Sequence, residues 1–384
     1  MSGMKVIVIG AGVGGLTTAI ALRRAGIAVE VYERRADLTK ILTGSGIHLW
    51  QNAVRALQKL EVADRVQAVG EVVEKMEWRT SSGGFIAEWP VGDLGRTLGA
   101  PAIGISRADL ADALRGVLPE DVVRLGRNAV GYTQDARGVT VRFDNGEDVR
   151  GDVLIGADGV NSITRAQRLG TAAPRYAGYT LWHAMVESDD ARVPPYTFRE
   201  TWGAGQRFGF YPVKGKTFWF GMQKAPRGGT EPDEERKAIV LRHFKGWIPP
   251  IEALVEATPG HAIGRLDVVD RRPMRSWTTG RVTLLGDAAH PMTPNLGQGA
   301  CQAIEDALVL AQCLSSYNDV EAALATYQRR RAARTASIMI RAGLIGMTGK
   351  WQNPLGVAVR NRIMKAVFPT LAWKQQVQDM AYEW

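Results

Sequence analysis

A glycine-rich turn near the amino terminus has the spacing of a phosphate-binding loop. Gly10, Gly12 and Gly15 follow a short apolar run and precede a predicted helix over residues 16–25. In such a strand, turn and helix, the first glycine makes the turn, the second lets the backbone approach a pyrophosphate, and the third lets helix and strand pack closely. Glu33 ends a second predicted strand, where a carboxylate can accept a hydrogen bond from a ribose 2'-hydroxyl. The turn therefore predicts a dinucleotide, FAD or NAD rather than NADP.

A second turn, far along the chain, indicates which dinucleotide binds. Asp287 follows a predicted buried strand, where its carboxylate could bind a polyol such as a ribityl chain or could cap a helix. Pro294, Gly297 and Gly299 then form a path with few side chains, which leads to a predicted helix over residues 297–314. Free N–H groups at the start of that helix would suit a flat ring with an anionic edge. This combination favours a flavin, and hence FAD.

With these motifs and two others, the chain resembles the FAD-dependent group A flavoprotein monooxygenases, which share the para-hydroxybenzoate hydroxylase fold. Asp158, Gly159 and Arg165 match the family's DG motif, which contacts FAD and the nicotinamide donor. Arg107 matches the family arginine that reaches FAD, and residues 44–46 match the loop that passes the isoalloxazine. The resemblance covers essentially the whole chain and is greatest to single-component enzymes such as alkylquinolone hydroxylase, urate hydroxylase and zeaxanthin epoxidase.

The motifs and the resemblance together predict a set of FAD-binding residues, and the five histidines lack the H-E-x-x-H and H-x-H spacings that would indicate a metal site. The predicted residues are Gly10, Gly12, Val13, Gly14, Gly15, Glu33, Arg34, Gly46, Arg107, Asp158, Gly159, Arg165, Asp287, Pro294, Gly297, Gly299 and Ala300. No second nucleotide-binding turn is visible, which agrees with the family's lack of a separate NAD(P)H domain and leaves NADH and NADPH both open.

The resemblance implies oxygen-insertion chemistry. NAD(P)H would reduce FAD, O2 would add at flavin C4a, and the hydroperoxide would pass one oxygen atom to an electron-rich carbon. Hydroxylation of an aromatic or heteroaromatic substrate is the main expectation. Family members also act on alkenes, so epoxidation is an alternative, as is a flavin-dependent reductase or oxidase. A flavin-dependent halogenase and a non-catalytic FAD-fold scaffold are disfavoured.

An aromatic-rich segment between residues 176 and 267 is predicted to form the substrate sheet. Alternation along its strands predicts a substrate pocket of Trp182, Phe208, Phe210, Trp219 and Met222 together with Pro294, although aromatic residues at this spacing also form ordinary cores. Two polar residues are catalytic candidates. His183 could hydrogen-bond or deprotonate a ring hydroxyl or N–H, and Arg207 could orient a carbonyl or carboxylate; surface positions are the alternatives.

The predicted fold class is α/β, with a Rossmann-like FAD-binding domain, an inserted and largely antiparallel substrate domain, and C-terminal helices. The FAD-binding domain is discontinuous and is predicted to span residues 1–75, 100–175 and 268–335. The substrate domain is predicted over residues 76–99 and 176–267, and the C-terminal helices over residues 336–384.

Composition restricts the partners. The net charge of +9 favours anionic ligands, and no nucleic-acid recognition motif accompanies it. The two cysteines, Cys301 and Cys313, lie too far apart on one predicted helix to pair. No segment is long enough to cross a bilayer, so the cytoplasm is the expected location of a monomer or homodimer. Ile338, Ile340, Leu344 and Ile345, next to a run of arginines, are predicted to pack on the core, with membrane contact as the alternative.

Overall fold

The computed structural model describes residues 3–37, 45–188 and 190–384. Its strands are β1 Lys5–Ile9, β2 Ala28–Glu33, β3 Gly46–Leu49, β4 Glu71–Val73, β5 Lys75–Thr80, β6 Phe85–Trp89, β7 Ala102–Ser106, β8 Val123–Leu125, β9 Ala129–Asp135, β10 Gly138–Phe143, β11 Asp148–Gly151, β12 Val153–Gly156, β13 Arg175–Val186, β14 Thr197–Trp202, β15 Gln206–Val213, β16 Lys216–Lys224, β17 Gly264–Asp270, β18 Thr278–Thr279 and β19 Val282–Leu284.

The helices of the described residues flank these strands, and the longest of them lie at the C-terminal end. They are α1 Val13–Arg24, α2 Gln51–Lys59, α3 Ala63–Ala68, α4 Val91–Leu98, α5 Arg107–Arg115, α6 Ile163–Leu169, α7 Asp233–Phe244, α8 Ile251–Ala257, α9 Gly299–Ser316, α10 Val320–Gly349, α11 Pro354–Val367 and α12 Trp373–Met380.

A mainly parallel sheet forms the centre of the nucleotide-binding half, in the order β18-β19-β12-β1-β2-β8. The residues of β1 are almost completely buried, because helices cover one face and the β9–β11 sheet covers the other. This burial explains why the strand is apolar from Val6 to Ile9 rather than alternating. Three parallel strands, β1, β12 and β19, therefore end at one edge, where the chain continues into Gly10, Asp158 and Asp287. Ligands bind at this edge in open α/β sheets.

A seven-stranded sheet forms the other half, in the order β17-β13-β16-β15-β14-β5-β6. Most of its neighbours are antiparallel, and β14 with β5 is a parallel pair. One face packs against α7 and α8 in a separate apolar cluster, and the opposite face turns toward the nucleotide-binding half. The small sheet β3-β7-β4 lies between the two halves and contacts β15. Because the two large sheets are built from separate segments of the chain, we propose the division predicted from the sequence, with an FAD-binding domain and an inserted substrate domain.

The C-terminal helices differ from the sequence prediction in where they begin and in what they cover: α10 starts at Val320, before the predicted boundary at residue 336. Asn353 caps α11, because its side chain accepts hydrogen bonds from the N–H groups of Leu355 and Gly356. In α10, Ile338 is buried as predicted, but Ile340 and Leu344 are exposed. The prediction that this whole group packs on the core is therefore wrong for these two residues. Within the described residues, no helix combines the length and apolarity needed to cross a membrane.

Candidate active site

The glycine-rich turn has the close contacts that its sequence predicts. A Cβ atom on Gly15 would lie 1.8 Å from the carbonyl oxygen of Gly10, so helix α1 can pack on β1 only without a side chain there. Gly10 has a φ of +105°, and a Cβ on it would lie 2.5 Å from the Ala157 carbonyl oxygen. A Cβ on Gly12, in contrast, would meet nothing within 4 Å. The open space beside Gly12 fits the approach of a pyrophosphate to the backbone.

Glu33 is held beside this turn by backbone donors. Its carboxylate accepts hydrogen bonds from the N–H of Ala11, at 3.0 Å, and from the N–H of Arg35, at 3.0 Å. These contacts fix the acidic side chain at the carboxyl end of β2, where a ribose would lie next to the pyrophosphate loop. Arg34, which was predicted to contact FAD, is exposed next to it.

The DG motif leaves one buried oxygen without a protein partner. Asp158 Oδ2 accepts hydrogen bonds from the Thr164 N–H and hydroxyl, both at 3.1 Å, while Oδ1 is buried and has no hydrogen-bond partner in the protein. Burial raises the pKa of Asp158. Gly159 has a φ of +78° and open space where a side chain would lie. The Arg165 guanidinium donates to the Ala288 carbonyl at 3.3 Å and thereby links this motif to the Asp287 turn.

Asp287 lines a cleft between the motifs. Its side chain is solvent-accessible, yet protein surrounds it deeply enough that burial raises its pKa, against the opposing charges of His290 and Arg107. A Cβ on Gly299 would lie 3.9 Å from the Asp287 carboxylate and would meet no other atom within 4 Å. The carboxylate therefore lies close to the start of α9, with no side chain between them. Gly297 is not helical: it has a φ of +62° after a short turn over Pro294–Leu296, and α9 begins two residues later than predicted.

The segment predicted to pass the isoalloxazine lies beside Arg107. Gly44 is outside the described residues, but the Ser45 carbonyl accepts a hydrogen bond from the Arg107 N–H at 2.9 Å. A Cβ on Gly46 would lie 2.5 Å from the Phe218 ring, so glycine allows this segment to approach the substrate sheet. Of the other predicted positions, Gly14 lies against Leu285, Val13 and Ala300 are half-buried, and Pro294 is exposed.

A buried charge network supports the Asp287 turn from below. Asp306 Oδ2 accepts from the Gly286 N–H at 3.1 Å and lies 2.6 Å from His290 Nε2, while Oδ1 accepts from Arg331 Nε at 2.7 Å. Burial alone would raise the pKa of Asp306, but His290 and Arg331 lower it to about 2. The network therefore fixes the loop through charged hydrogen bonds. Sequence reasoning missed it because its members lie on different elements between residues 286 and 331, and only the packing of α9 and α10 brings them together.

Arg207 is the centre of a second polar cluster, on the face of the seven-stranded sheet that turns toward the cleft. It is 3% exposed, and its Nη2 donates to Asn295 Oδ1 at 2.9 Å. Its Nε lies 2.8 Å from Glu200 Oε1 in a buried ion pair that lacks hydrogen-bond alignment. The guanidinium stacks over the Trp202 ring at 4.4 Å from the centroid. Arg207 is therefore a buried residue, which excludes the surface alternative.

Asn295 joins this cluster to the flavin-side loop. Its amide donates to the Tyr179 hydroxyl at 3.0 Å and to the Ala342 carbonyl at 2.9 Å, so the loop after the Asp287 turn is tied to both β13 and α10. A small cavity lies at this point, and Arg207, Met222 and Asn295 are among the residues that line it. Neither Asn295 nor Tyr179 was predicted. The sequence offered one signal for Asn295, because it lies between Pro294 and Gly297, which were both predicted to bind FAD.

Four predicted pocket residues lie on the wrong face of the sheet. Trp182, Phe208, Phe210 and Trp219 are at most 2% exposed and pack against α7 and α8. The reason is the two-residue period of a strand, because Arg207 and Phe208 necessarily point to opposite faces. The pocket prediction is corrected for these four side chains, which form a core. Met222 lies on the cleft side with Arg207, 3.2 Å from its Nη2.

Two histidines lie on or over the cleft-side face. His183 is half-buried, with its ring centroid 6.2 Å from that of Phe218. His48, which was not predicted, is fully buried against Trp50, Phe198 and Tyr211, and neither ring nitrogen has a hydrogen-bond partner. Burial lowers the pKa of His48 to about 3, so its imidazole is neutral near pH 7. The sequence shows His48 only as one residue of a short strand and contains no signal that it is buried among aromatic rings.

This geometry defines a class of protein, and comparison with known proteins agrees with it. A family model described as an FAD binding domain matches residues 3–342, and the chain belongs to this family of FAD-dependent monooxygenases. FAD is its cofactor. The open space at Gly12 and Gly159, the unpartnered Asp158 oxygen and the accessible Asp287 all fit that cofactor.

Among similar proteins, the aurachin C monooxygenase/isomerase of Stigmatella aurantiaca is 42% identical over 365 residues, which are 95% of this chain and 94% of the relative. The FAD-dependent urate hydroxylase of Klebsiella pneumoniae is 36% identical over 342 residues, 88% of each chain. A solved structure of Klebsiella pneumoniae HpxO with FAD and uric acid superposes with a TM-score of 0.90 at 32% identity, over 99% of this chain and 96% of the other.

Proposed function

We propose that the protein hydroxylates an electron-rich aromatic or heteroaromatic ring bearing a carbonyl or anionic oxygen, with NAD(P)H as electron donor and O2 as oxidant. The observation that carries this proposal is the buried Arg207–Asn295 pair, which lies on the cleft side of an aromatic sheet and next to the loop of the FAD site. Its relatives' names mention urate and aurachin C, which supports a ring-shaped substrate for this chain.

The charge around Arg207 supports an oxygen-bearing ligand. Arg360 is also buried, stacks on Trp202 at 5.4 Å from the centroid, and donates only to Asn361 and the Thr348 carbonyl among the described residues. Burial and the charge of Arg207 lower the pKa of Arg360 to about 10. Of the two guanidiniums, Arg207 pairs with the Glu200 carboxylate, whereas Arg360 forms no salt bridge within the part of the chain that the structure describes. This excess positive charge favours a ligand with a carbonyl or anionic oxygen.

The residues of the chain would have separate roles in this reaction. Arg207 would orient the ring through its oxygen, and Met222 would pack on the apolar side of the ring. His183 would hydrogen-bond or deprotonate a ring hydroxyl or N–H. When bound and reduced, FAD supplies the oxygen-activating chemistry. Asp158 and Asp287 would hold it, and the buried aromatic wall would exclude water from the cleft.

A ligand panel tests this function. The FAD-loaded protein is given quinolones, purines, hydroxybenzoates and isoprenoid alkenes, and NAD(P)H oxidation is measured with and without each compound. We expect a heteroaromatic compound with a ring carbonyl to stimulate oxidation most. We expect its product, made under ¹⁸O2, to carry one labelled oxygen atom.

The same panel separates the alternatives. Single-oxygen incorporation into an alkene would replace hydroxylation with epoxidation. Stimulated NAD(P)H consumption with no labelled product, for any compound that binds, would replace the monooxygenase proposal with an oxidase or reductase. NADH and NADPH compared side by side identify the donor.

A further inference from the structure

The C-terminal helices present apolar side chains to solvent in a regular pattern. On α10 and the residues that follow it, Leu344, Met347 and Trp351 recur at helical spacing; on α11, Leu355, Val359 and Ile363 do the same. Each of the six is between 41% and 78% exposed. We call these six residues the C-terminal apolar face. Side chains three or four residues apart lie on one side of a helix, so each helix offers an apolar stripe.

The two stripes meet where the helices join. Arg360 Nη1 donates to the Thr348 carbonyl at 3.4 Å, which ties the middle of α11 to the end of α10. A Cβ on Gly356 would lie 3.7 Å from the Trp351 ring. These contacts bring the last turn of one stripe beside the first turn of the other. Apolar surface gathered in this way marks an interaction site rather than the scattered exposed side chains of an ordinary surface.

The charged residues of the helices that form this face are almost all of one sign. Residues 322–378 contain ten lysines and arginines and no aspartate or glutamate. Several of the arginines pair with buried acids elsewhere, but Arg362, Lys365 and Lys374 are exposed and form no salt bridge within the described ranges. The apolar face is therefore bordered by free cations.

We propose that the C-terminal apolar face docks on an anionic lipid bilayer, at the level of the headgroups. Helices with an apolar stripe and flanking lysines and arginines bind membranes in this way, through apolar burial and attraction to anionic lipids. A symmetric contact with a second copy of the chain would bring together two faces that are both bordered by Arg362, Lys365 and Lys374, and so by charges of the same sign. Charge complementarity thus favours the lipid surface.

The C-terminal apolar face lies close to the proposed substrate site, which suggests a role for membrane docking. Gly346, Gly349 and Lys350, at the end of α10, line the same cavity as Arg207 and Asn295. A lipophilic ring compound dissolved in the bilayer would then enter from the docked side without crossing water. This role rests on the proposed function, whereas the docking itself does not, because binding to vesicles is measured without turnover.

Vesicle flotation of the FAD-loaded protein tests the docking. We expect the protein to float with vesicles of phosphatidylcholine and phosphatidylglycerol, to float poorly with phosphatidylcholine alone, and to be released by high salt. The triple variant Leu355→Ser/Val359→Ser/Ile363→Ser should lower the partition coefficient at least roughly tenfold. The matched control Val130→Ser/Leu169→Ser/Tyr317→Ser removes three exposed apolar side chains of the nucleotide-binding half and should float like the unmodified protein.

A site-specific probe reports contact directly. Cys301 and Cys313 are both buried, so a Leu355→Cys variant can be labelled selectively with an environment-sensitive dye. A blue shift on addition of anionic vesicles is the expected result, whereas an unchanged spectrum would overturn the proposal. Equal flotation of the triple variant would do so as well. Light scattering completes the test, because a dimer that dissociates in the triple variant would assign this face to a second copy instead.

Discussion

The two faces of the seven-stranded sheet use the same strands for opposite purposes. On one face, Phe208 and Trp219 stack 5.4 Å apart and fill the space against α7 and α8. On the other face, Arg207 and Met222 line a cavity beside the FAD loop. Aromatic character alone does not distinguish the two faces, since both contain several rings. The buried charged residue does, because an arginine is brought into an apolar layer only where partners or a ligand offset the cost.

The largest effect is expected on the face that packs against α7 and α8, which tests whether this face is a core. Trp219→Ala should destabilise the protein by about 3–5 kcal/mol, because it opens a cavity and removes the partner of Thr258 Oγ1, which lies 2.9 Å from the indole nitrogen. Chemical denaturation measures the change. If stability were unchanged while substrate-stimulated turnover fell, the assignment of this face as core would be wrong.

A substitution on the cleft-side face should reduce turnover as well as stability. Arg207→Gln leaves Glu200 buried without its ion-pair partner and should cost about 3 kcal/mol of stability, with turnover reduced roughly 100-fold. The double variant Glu200→Gln/Arg207→Gln removes both charges, so it should regain most of the stability and none of the turnover. Recovery of turnover in the double variant would show that Arg207 acts only on the fold.

The lowered pKa of Asp306, which supports the cofactor loop, predicts that the protein loses stability at acidic pH. Its pKa is about 2 in the folded protein and 3.8 ordinarily, so the stability that its charge contributes is present above about pH 4 and is lost as pH falls toward 2. The loss should be roughly 2 kcal/mol. Urea midpoints measured across this range would show it. Asp306→Asn should flatten the acid slope, and an unaltered slope would assign the effect to other groups.

The smallest expected effect is on FAD affinity, and it tests whether the open space beside Gly12 is left for the cofactor. Gly12→Ala adds a methyl group where the protein has no neighbour, so we expect the FAD dissociation constant to rise about tenfold with little change in the stability of the apoprotein. Gly343→Ala is the control: it also has no neighbour within 4 Å but lies in α10, away from the motifs. It should leave FAD affinity unchanged and raise stability by up to about 1 kcal/mol. Equal FAD affinity in the two variants would contradict this assignment of the open space.

Much of the cofactor site could be predicted because its signals are local. A strand, a glycine turn and a helix within thirty residues specify where a phosphate approaches the backbone, as Gly10 and Gly15 illustrate. The start of α9 was misplaced by two residues because Gly297, with its positive φ, ends a separate short turn. His48 and Glu200 were missed because nothing in their neighbouring residues marks them as buried polar groups.

By itself, the sequence determined the FAD-binding turns, the α/β class and the alternation of each strand, because these depend on backbone geometry and on neighbours close along the chain. Only the tertiary structure decided which face of the substrate sheet meets the cofactor and which apolar residues of α10 and α11 remain uncovered. The physical reason is that alternation gives two equivalent faces, and only packing against α7 and α8 makes them different.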